Sequence, residues 1–458
     1  MEGEIEKEFD WEVHPDLEGF VKGHVEYFLK NNSFANALSQ KMMDQTSTRF
    51  VDWIDHVIIP ESRANYEQFT KVGMTEVSQM DRPDGTTAFK HLRSYLFPML
   101  MGSSENFEVA LKPESIDDFL QYIGMGIKAE GAELSKIRKA TVSKEGNFIL
   151  SAVERRGYNG FLVSEDTDDI PDYAAALGTF YSRQRKFEND TDGVEHTLEV
   201  VRESTYKLQE ARAADAFFRA ERAYWQRRNW PGQVQKARQD SLGLGWGNHD
   251  HHTYRSSRAN FTKMIDIFEA FGYRCREKYY AGDKAGWGAQ ILEHQICNIV
   301  VFTDVDLNPD ETTIDFAHQG FLEKEERMGT VGLWVGLHGE SVLQAGMHHL
   351  EARFEFERLT QDLARLGVEM MPPFSHFDFL KQAFTKGVVW PVDKGRLDSL
   401  LNSKYITQQQ YDEFSKDGAI GSHMENLERD QGFKGFNRSS VTKIIMETDP
   451  RKQHFAGA

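Results

Sequence analysis

Six residues recur at one fixed distance along this chain. Asp55, His56, Ser62, Arg63, Ala64 and Asn65 reappear 195 positions on as Asp250, His251, Ser257, Arg258, Ala259 and Asn260, with no gap between them. An ungapped match of this kind marks an internal duplication, which constrains the fold more than any local motif can. The flanking text agrees. Both "IDHVIIPESRANYEQFTKVGMTEV" (54–77) and "HDHHTYRSSRANFTKMIDIFEAFGYRCRE" (249–277) read as a strand, a polar turn and a helix, closed by Gly73 or Gly272 before a second strand. In the second copy Phe261, Met264, Ile265, Ile267 and Phe268 keep helical spacing. "HHLEARFEFERLTQDLARLGVEMM" (348–371) repeats the layout, with His349 in the place of the Asp-His histidine and Gly367 as the stop, giving a third copy. After the middle copy, "GWGAQILEH" and "CNIVVFTDVDL" supply two more strands. The expected element is a β-α-β-β-β unit, an open, curved half-barrel, and the fold class is α+β.

A second echo relates the ends of the two halves. "SAVERRGYNGFLV" (151–163) and "ENLERDQGFKGFN" (425–437) both place Glu-Arg ahead of an aromatic-Gly-Phe close, and read as closing strands. Between them, residues 194–230 contain neither glycine nor proline and are rich in helix formers, which predicts a pair of helices bridging the halves. The expected organisation is an N-terminal half over 1–170, a helical connector over 171–240, a metal-binding barrel over 241–440 and a polar tail over 441–458.

Composition narrows the function. The net charge of −18 makes a nucleic-acid backbone a poor partner, while leaving room for a local basic pocket that takes a small anion. No apolar run approaches the roughly 18 residues of a membrane span, and the acidic start of the chain lacks the basic-then-apolar order of a secretory signal. Two cysteines, Cys275 and Cys297, without metal-type spacing fit a reducing compartment, so a cytoplasmic location is expected. "GLGWG" (243–247) lacks the Lys and Ser/Thr of a phosphate loop, and Ser341 in "VGLHGES" lacks the second glycine of a nucleophile elbow.

The strands that open the repeats carry the chemistry. Alternation along a strand puts His251, Thr253 and Arg255 on one face, with His252 and Tyr254 on the other. It likewise groups His349, Glu351 and Arg353 against His348, Leu350 and Ala352. Each strand thus offers a histidine with an arginine about 13 Å along the same face, at ~3.3 Å per residue. The histidine suits a metal and the arginine the far carboxylate of a dianionic ligand. The closing strand "SHMENLERD" (422–430) offers the third ligand as Glu425 or Glu428, of which only one can face the site. Glu425 is preferred because the N-terminal echo has a small or apolar residue there, and Glu428 is the alternative. Two imidazoles and one carboxylate, with adjacent positions open, are typical of non-haem Fe(II) oxygen chemistry. His249, His252 and His348 are expected outside the ligand set, and Asp55 and Asp250 are expected to shape the strand entrance. His56 is followed at i+4 by Pro60, and its closing strand is expected to offer Ala152 or Val153, so the N-terminal unit reads as metal-free.

These residues resemble the vicinal oxygen chelate superfamily, whose β-α-β-β-β units pair around a metal. More narrowly, "DHHTYR" (250–255), "FGYRCRE" (271–277), "NIVVFTDVDLNPDE" (298–311), "HHLEAR" (348–353) and "ENLERDQGF" (425–433) resemble the 2-oxoadipate dioxygenase/decarboxylase family, also called hydroxyglutarate synthase. The resemblance spans roughly residues 245–440. It implies vicinal-oxygen-chelate-type open barrels, Fe(II) held by His251, His349 and Glu425 (Mn(II) or Zn(II) in its place), and Arg255, joined by Arg353, as the substrate-carboxylate clamp. The implied activity is a dioxygenase that decarboxylates a 2-oxo acid such as 2-oxoadipate to a shortened 2-hydroxy acid. The implied partners are that small anion and dioxygen. Two other readings fit the same residues: a non-redox metal-dependent isomerase or lyase, and a metal-free binding protein.

Overall fold

The computed structural model describes residues 11–124, 126–163, 167–282, 285–321, 328–438, 444 and 448–452. Most of the expected polar tail and the first ten residues lie outside them. Two helices, α1 (Pro15–Asn31) and α2 (Ser33–Thr46), precede the first repeat. That repeat runs β1 (Ile54–Pro60), α3 (Tyr66–Lys71), β2 (Thr75–Glu76), β3 (Thr86–Lys90) and β4 (Met99–Gly102). A further copy follows, as β5 (Phe107–Leu111), α4 (Ile116–Ile123), β6 (Ile137–Glu145) and β7 (Phe148–Arg155), one strand shorter than a full unit. The two units share one seven-stranded open sheet in the order β2-β3-β4-β1-β5-β7-β6.

The second half begins with β8 (His249–Arg255), α9 (Phe261–Ala270), β9 (Arg274–Tyr280), β10 (Trp287–His294) and β11 (Ile299–Asp306), after the four helices α5 (Ile170–Ser182), α6 (Asp190–Leu208), α7 (Glu210–Gln226) and α8 (Trp230–Asp240). Then come α10 (Thr330–His338), β12 (His349–Arg353), α11 (Phe356–Arg365), β13 (Ser375–Phe377), β14 (Leu380–Phe384) and β15 (Val388–Trp390). The half closes with α12 (Lys394–Asn402), α13 (Gln408–Asp417) and β16 (Ala419–Arg429). Its nine-stranded open sheet runs β13-β14-β16-β12-β8-β11-β10-β9, with β15 also on β16.

The sheets duplicate each other in register. β1 pairs antiparallel with β5 as β8 does with β12, so that Ile58 faces Glu108 where Thr253 faces His349, and each pair of strands carries a bulge beyond that point. β5 runs parallel to β7 as β12 does to β16, setting Ala110 beside Ser151 and Glu351 beside Glu425. The described residues therefore hold four copies of the unit rather than three. The copy at β5–β7 lacks the Asp-His and Ser-Arg-Ala-Asn signature; the sequence echo at 151–163 marks its closing strand, and strand pairing exposes its opening one.

The connector differs from the expected pair of helices. Four helices span it, and the break between α6 and α7 falls at Gln209, whose φ of 69° is left-handed and ends a helical run no glycine or proline marks. These helices belong to the core of the second half. Phe180, Phe217 and Phe218 pack in one cluster with Phe268 of α9 and with Val301, Leu350 and Met424 of the second sheet. Burying each such aromatic contributes ~1.5–3 kcal/mol of hydrophobic stabilisation, enough to hold that face of the sheet flat against the helices. No described helix is long and apolar enough to cross a membrane.

Candidate metal centre

Since one face of the second sheet is committed to the helices, alternation assigns the other. His252 and Tyr254 of β8 pack edge-on against Phe218, leaving His251, Thr253 and Arg255 on the face away from α9. Leu350 and Ala352 of β12 enter the same core, which turns His349, Glu351 and Arg353 to the free face. Met424 of β16 does likewise for His423, Glu425 and Leu427. The antiparallel and parallel pairings then bring the three strands' polar residues together.

One donor atom each from His251, His349 and Glu425 lies within 4.8 Å of the others, and all three residues are buried, at 4 %, 6 % and 2 % exposure. Glu425 Oε2 is 3.2 Å from His349 Nε2 and 4.0 Å from His251 Nε2. His349 Nε2 also lies 2.8 Å from Thr253 Oγ1, and its Nδ1 is 3.0 Å from His348 Nδ1. Burial holds His251 below the usual histidine range and His349 well below it. That favours the neutral form of each ring, the form that ligates metal.

Glu351 is the residue the sequence reading grouped on this face without giving it a task. It is fully buried and its carboxylate meets His251 Nδ1. It also stands directly beside Glu425 across β12 and β16. Burial, and then the Glu425 charge, push the Glu351 carboxyl well above its usual range; burial does the same to Glu425. The Gln382 amide donates to Glu425 Oε1 at 3.0 Å and reaches Glu351 Oε1 at 3.4 Å. An i+2 spacing from His349 was the only sequence signal for Glu351; Gln382 had none.

Glu428 faces elsewhere. Its Oε2 accepts the Phe356 backbone N–H at the start of α11 (2.7 Å), and Lys381 lies 3.2 Å from its Oε1. Glu154, its echo in the first half, accepts the Ile116 N–H at the start of α4. In both halves this glutamate is a helix N-terminal acceptor. Of the other histidines, His249 Nδ1 meets the Trp246 carbonyl at 2.8 Å, and His252 sits in the apolar core with neither nitrogen hydrogen-bonded.

The two arginines part company. Arg255 is fully buried; its three guanidinium nitrogens make no hydrogen bond, with Asp304 at 3.5 Å and the Trp334 ring centroid at 5.5 Å. Burial pushes Asp304 up to about 7 against the pull of Arg255. Arg353 lies at the opposite end of the antiparallel pair, where its backbone N–H bonds Asn248 and its side chain is 3.6 Å from Asp250. Seven residues of strand separate the two ends, about 23 Å at ~3.3 Å per residue. The expectation that both arginines grip one carboxylate is corrected by that separation.

The first half shows what the same positions become without the ligand set. His56 Nδ1 bonds Asp55 at 2.6 Å and its buried Nε2 has no partner. Glu108 occupies the register position of His349, and Ser151 that of Glu425, which replaces the expected Ala152 or Val153; Ala152 faces the apolar core instead. Lys139 reaches in from β6, its Nζ 2.6 Å from Glu108 Oε1. An ammonium thus stands beside the carboxylate in this half. The entrance aspartates are alike in both: Arg155 holds Asp55 at 2.7 and 2.8 Å, as Arg429 holds Asp250 at 3.1 Å.

A cavity of about 230 Å³, partly open to solvent, lies between the halves and reaches the edge of the site at Asp250, His251, Phe302 and Phe436.

No protein-family model matches this chain, and no curated protein does. Among solved structures, it is similar to a mutant of 4-hydroxymandelate synthase from Streptomyces coelicolor at 11% identity and a TM-score of 0.30, covering 88% of this chain and 99% of that one. A xylose isomerase-like TIM barrel/4-hydroxyphenylpyruvate dioxygenase fusion protein gives 9% and 0.25, over 89% of this chain and 52% of the other. Methylmalonyl-CoA epimerase from Mycobacterium tuberculosis gives 11% and 0.22, over 40% and 89%. Values this low assign neither an activity nor a substrate.

Proposed function

We propose that the protein is a non-haem Fe(II)-dependent dioxygenase that decarboxylates a 2-oxo dicarboxylic acid, in the manner of the 2-oxoadipate dioxygenase/decarboxylase family of the vicinal oxygen chelate superfamily. The observation that carries this reading is the convergence of His251, His349 and Glu425 on one buried face, with their donor atoms within 4.8 Å. The donor set fits such a metal on its own terms. Two imidazoles and a carboxylate supply three ligands, and the side-by-side Glu351 and Glu425 are buried carboxyls whose ionised form a divalent cation would favour. Mn(II) or Zn(II) would occupy the same ligands. Bound there, Fe(II) would supply a redox-active Lewis acid for dioxygen chemistry.

The chain's own residues do the rest. Glu351, against His251 Nδ1, fixes that ring so that Nε2 faces Glu425. His348 orients the His349 ring at Nδ1, leaving Nε2, beside Thr253 Oγ1, as the atom that would ligate. Phe302 packs on His251 and Phe384 on His349, so aromatic rings wall the ligand set. Arg255, buried and without a hydrogen bond, is the group that would take the distal carboxylate of the substrate. The reaction balances without an external reductant. The 2-oxo acid loses its first carbon as carbon dioxide, one oxygen atom enters the new carboxylate, and the other becomes the hydroxyl of a 2-hydroxy acid one carbon shorter. The test is oxygen uptake and carbon dioxide release by the Fe(II)-loaded protein over a panel of 2-oxo acids. Equal uptake and release on a dicarboxylate is expected; turnover of no 2-oxo acid in the panel would refute the reading.

One observation favours a second reading. Glu351, a carboxyl pushed upward beside the ligand set, suits a proton-moving base in a non-redox isomerase or lyase. Turnover in the absence of oxygen would select it.

A further inference from the structure

The two halves meet around a pair of equivalent cations. Lys112 stands four residues after Glu108, just past β5, as Arg353 stands four residues after His349 at the end of β12. Since Glu108 and His349 hold matching register positions, Lys112 and Arg353 are counterparts, and both line the cavity between the halves. The carboxylates near them are already engaged. Asp55 is gripped by two nitrogens of Arg155 and by His56. Asp250 is gripped by Arg429, with only a 3.6 Å approach to Arg353 Nε, and that nitrogen makes no hydrogen bond. Among the described residues Lys112 has no carboxylate partner. Burial, with Arg353 as the next contributor, pushes the Lys112 ammonium down to about 8 against the pull of Asp55 and Asp250. Across these six groups four positive charges face two negative ones. The whole cavity lining carries nine Lys and Arg against five Asp and Glu, a surplus of about four in a chain whose net charge is −18.

We infer that the cavity binds a small dianion, a dicarboxylate or a phosphate group, between Lys112 of the first half and Arg353 of the second. Two like charges brought together by matched strands repel unless an anion lies between them, and the surplus over these six groups is two charges. The site is centred on Lys112 and Arg353, neither of which belongs to the proposed metal ligand set. It needs neither the metal nor the dioxygenase activity, although its wall includes His251.

The experiment is calorimetric titration of chelator-treated, metal-free protein with inorganic phosphate and, separately, with succinate. The wild type is compared with Lys112→Met and with Lys112→Arg, and the thermal melt of each variant confirms folding. One site per chain is expected for at least one of the two probes, weakened tenfold or more in Lys112→Met and largely restored in Lys112→Arg. Binding of phosphate alone assigns a phosphate-bearing ligand, and binding of succinate assigns a dicarboxylate. No binding of either probe to the wild type, or equal affinity in wild type and a folded Lys112→Met, overturns the inference. Because metal is absent throughout, this result is independent of the proposed oxygen chemistry.

Discussion

Replacing Lys139 by Met removes the ammonium that stands beside Glu108 in the first half and leaves a carboxylate without its ion-pair partner. The pair is 2.6 Å apart, with side chains 23% and 12% exposed. Burial opposes the Glu108 charge, but Lys139 and then His56 hold its carboxyl below the usual range. With its pKa depressed, Glu108 contributes stability that is present above about pH 4.5 and lost as pH falls below it. Removing one member of a buried pair costs ~3–5 kcal/mol; scaled down for the partial exposure here, Lys139→Met should cost about 2–3 kcal/mol at pH 7. In a unit of this half's size that corresponds to roughly 5–10 °C in the melting transition. Replacing both charges in Lys139→Met, Glu108→Gln should recover most of the loss, because a neutral amide needs no counter-ion. Differential scanning calorimetry of the wild type, both singles and the double closes the cycle. A Lys139→Met transition within about 1 °C of wild type, or a double variant no better than the worse single, would refute the idea that the ammonium serves as this half's built-in cation.

Glu425→Gln should abolish stoichiometric metal binding, whereas Glu428→Gln should keep it and cost about 1 kcal/mol at the α11 N-terminus; metal analysis beside denaturant melts separates the two. Arg255→Met should raise KM for a 2-oxo dicarboxylate roughly 10- to 100-fold, the loss of one or two charge-assisted hydrogen bonds, and leave KM for a 2-oxo monocarboxylate within about threefold; equal effects would remove Arg255 from the clamp. His338, pushed down to about 3 by burial, contributes stability that is present above its unfolded pKa and lost as pH falls from about 6.5 toward 3. Between pH 7 and 5 the loss is about 2 kcal/mol, so His338→Gln should flatten the pH–stability curve by that amount, and parallel curves would contradict the assignment.

Much of this was legible in the chain because duplication leaves marks that spacing preserves. The Asp-His and Ser-Arg-Ala-Asn repeat located β1 and β8, and period-two alternation grouped His251 with Thr253 and Arg255, and His349 with Glu351 and Arg353, each within its own strand. What stayed hidden depends on contacts between strands. The copy at β5–β7 carries Glu108 and Ser151 in place of His349 and Glu425, so it has lost the residues that would announce it. Lys139 meets Glu108 from a strand that is not its neighbour, at no fixed sequence distance. Glu351 became part of the site only when register set it beside Glu425. The α6–α7 break rests on the backbone of one glutamine, a residue that gives no turn signal of its own.

The proposed chemistry requires one metal in the second half, at His251, His349 and Glu425. Metal content of anaerobically purified, Fe(II)-reconstituted protein, wild type beside His349→Ala, measures this directly. About one iron per chain in the wild type, lost in the variant while its melt still reports a folded protein, is the expected result. Two metals per chain would contradict the reading of the first half, and none after reconstitution with Fe(II), Mn(II) or Zn(II) would contradict the metal centre itself.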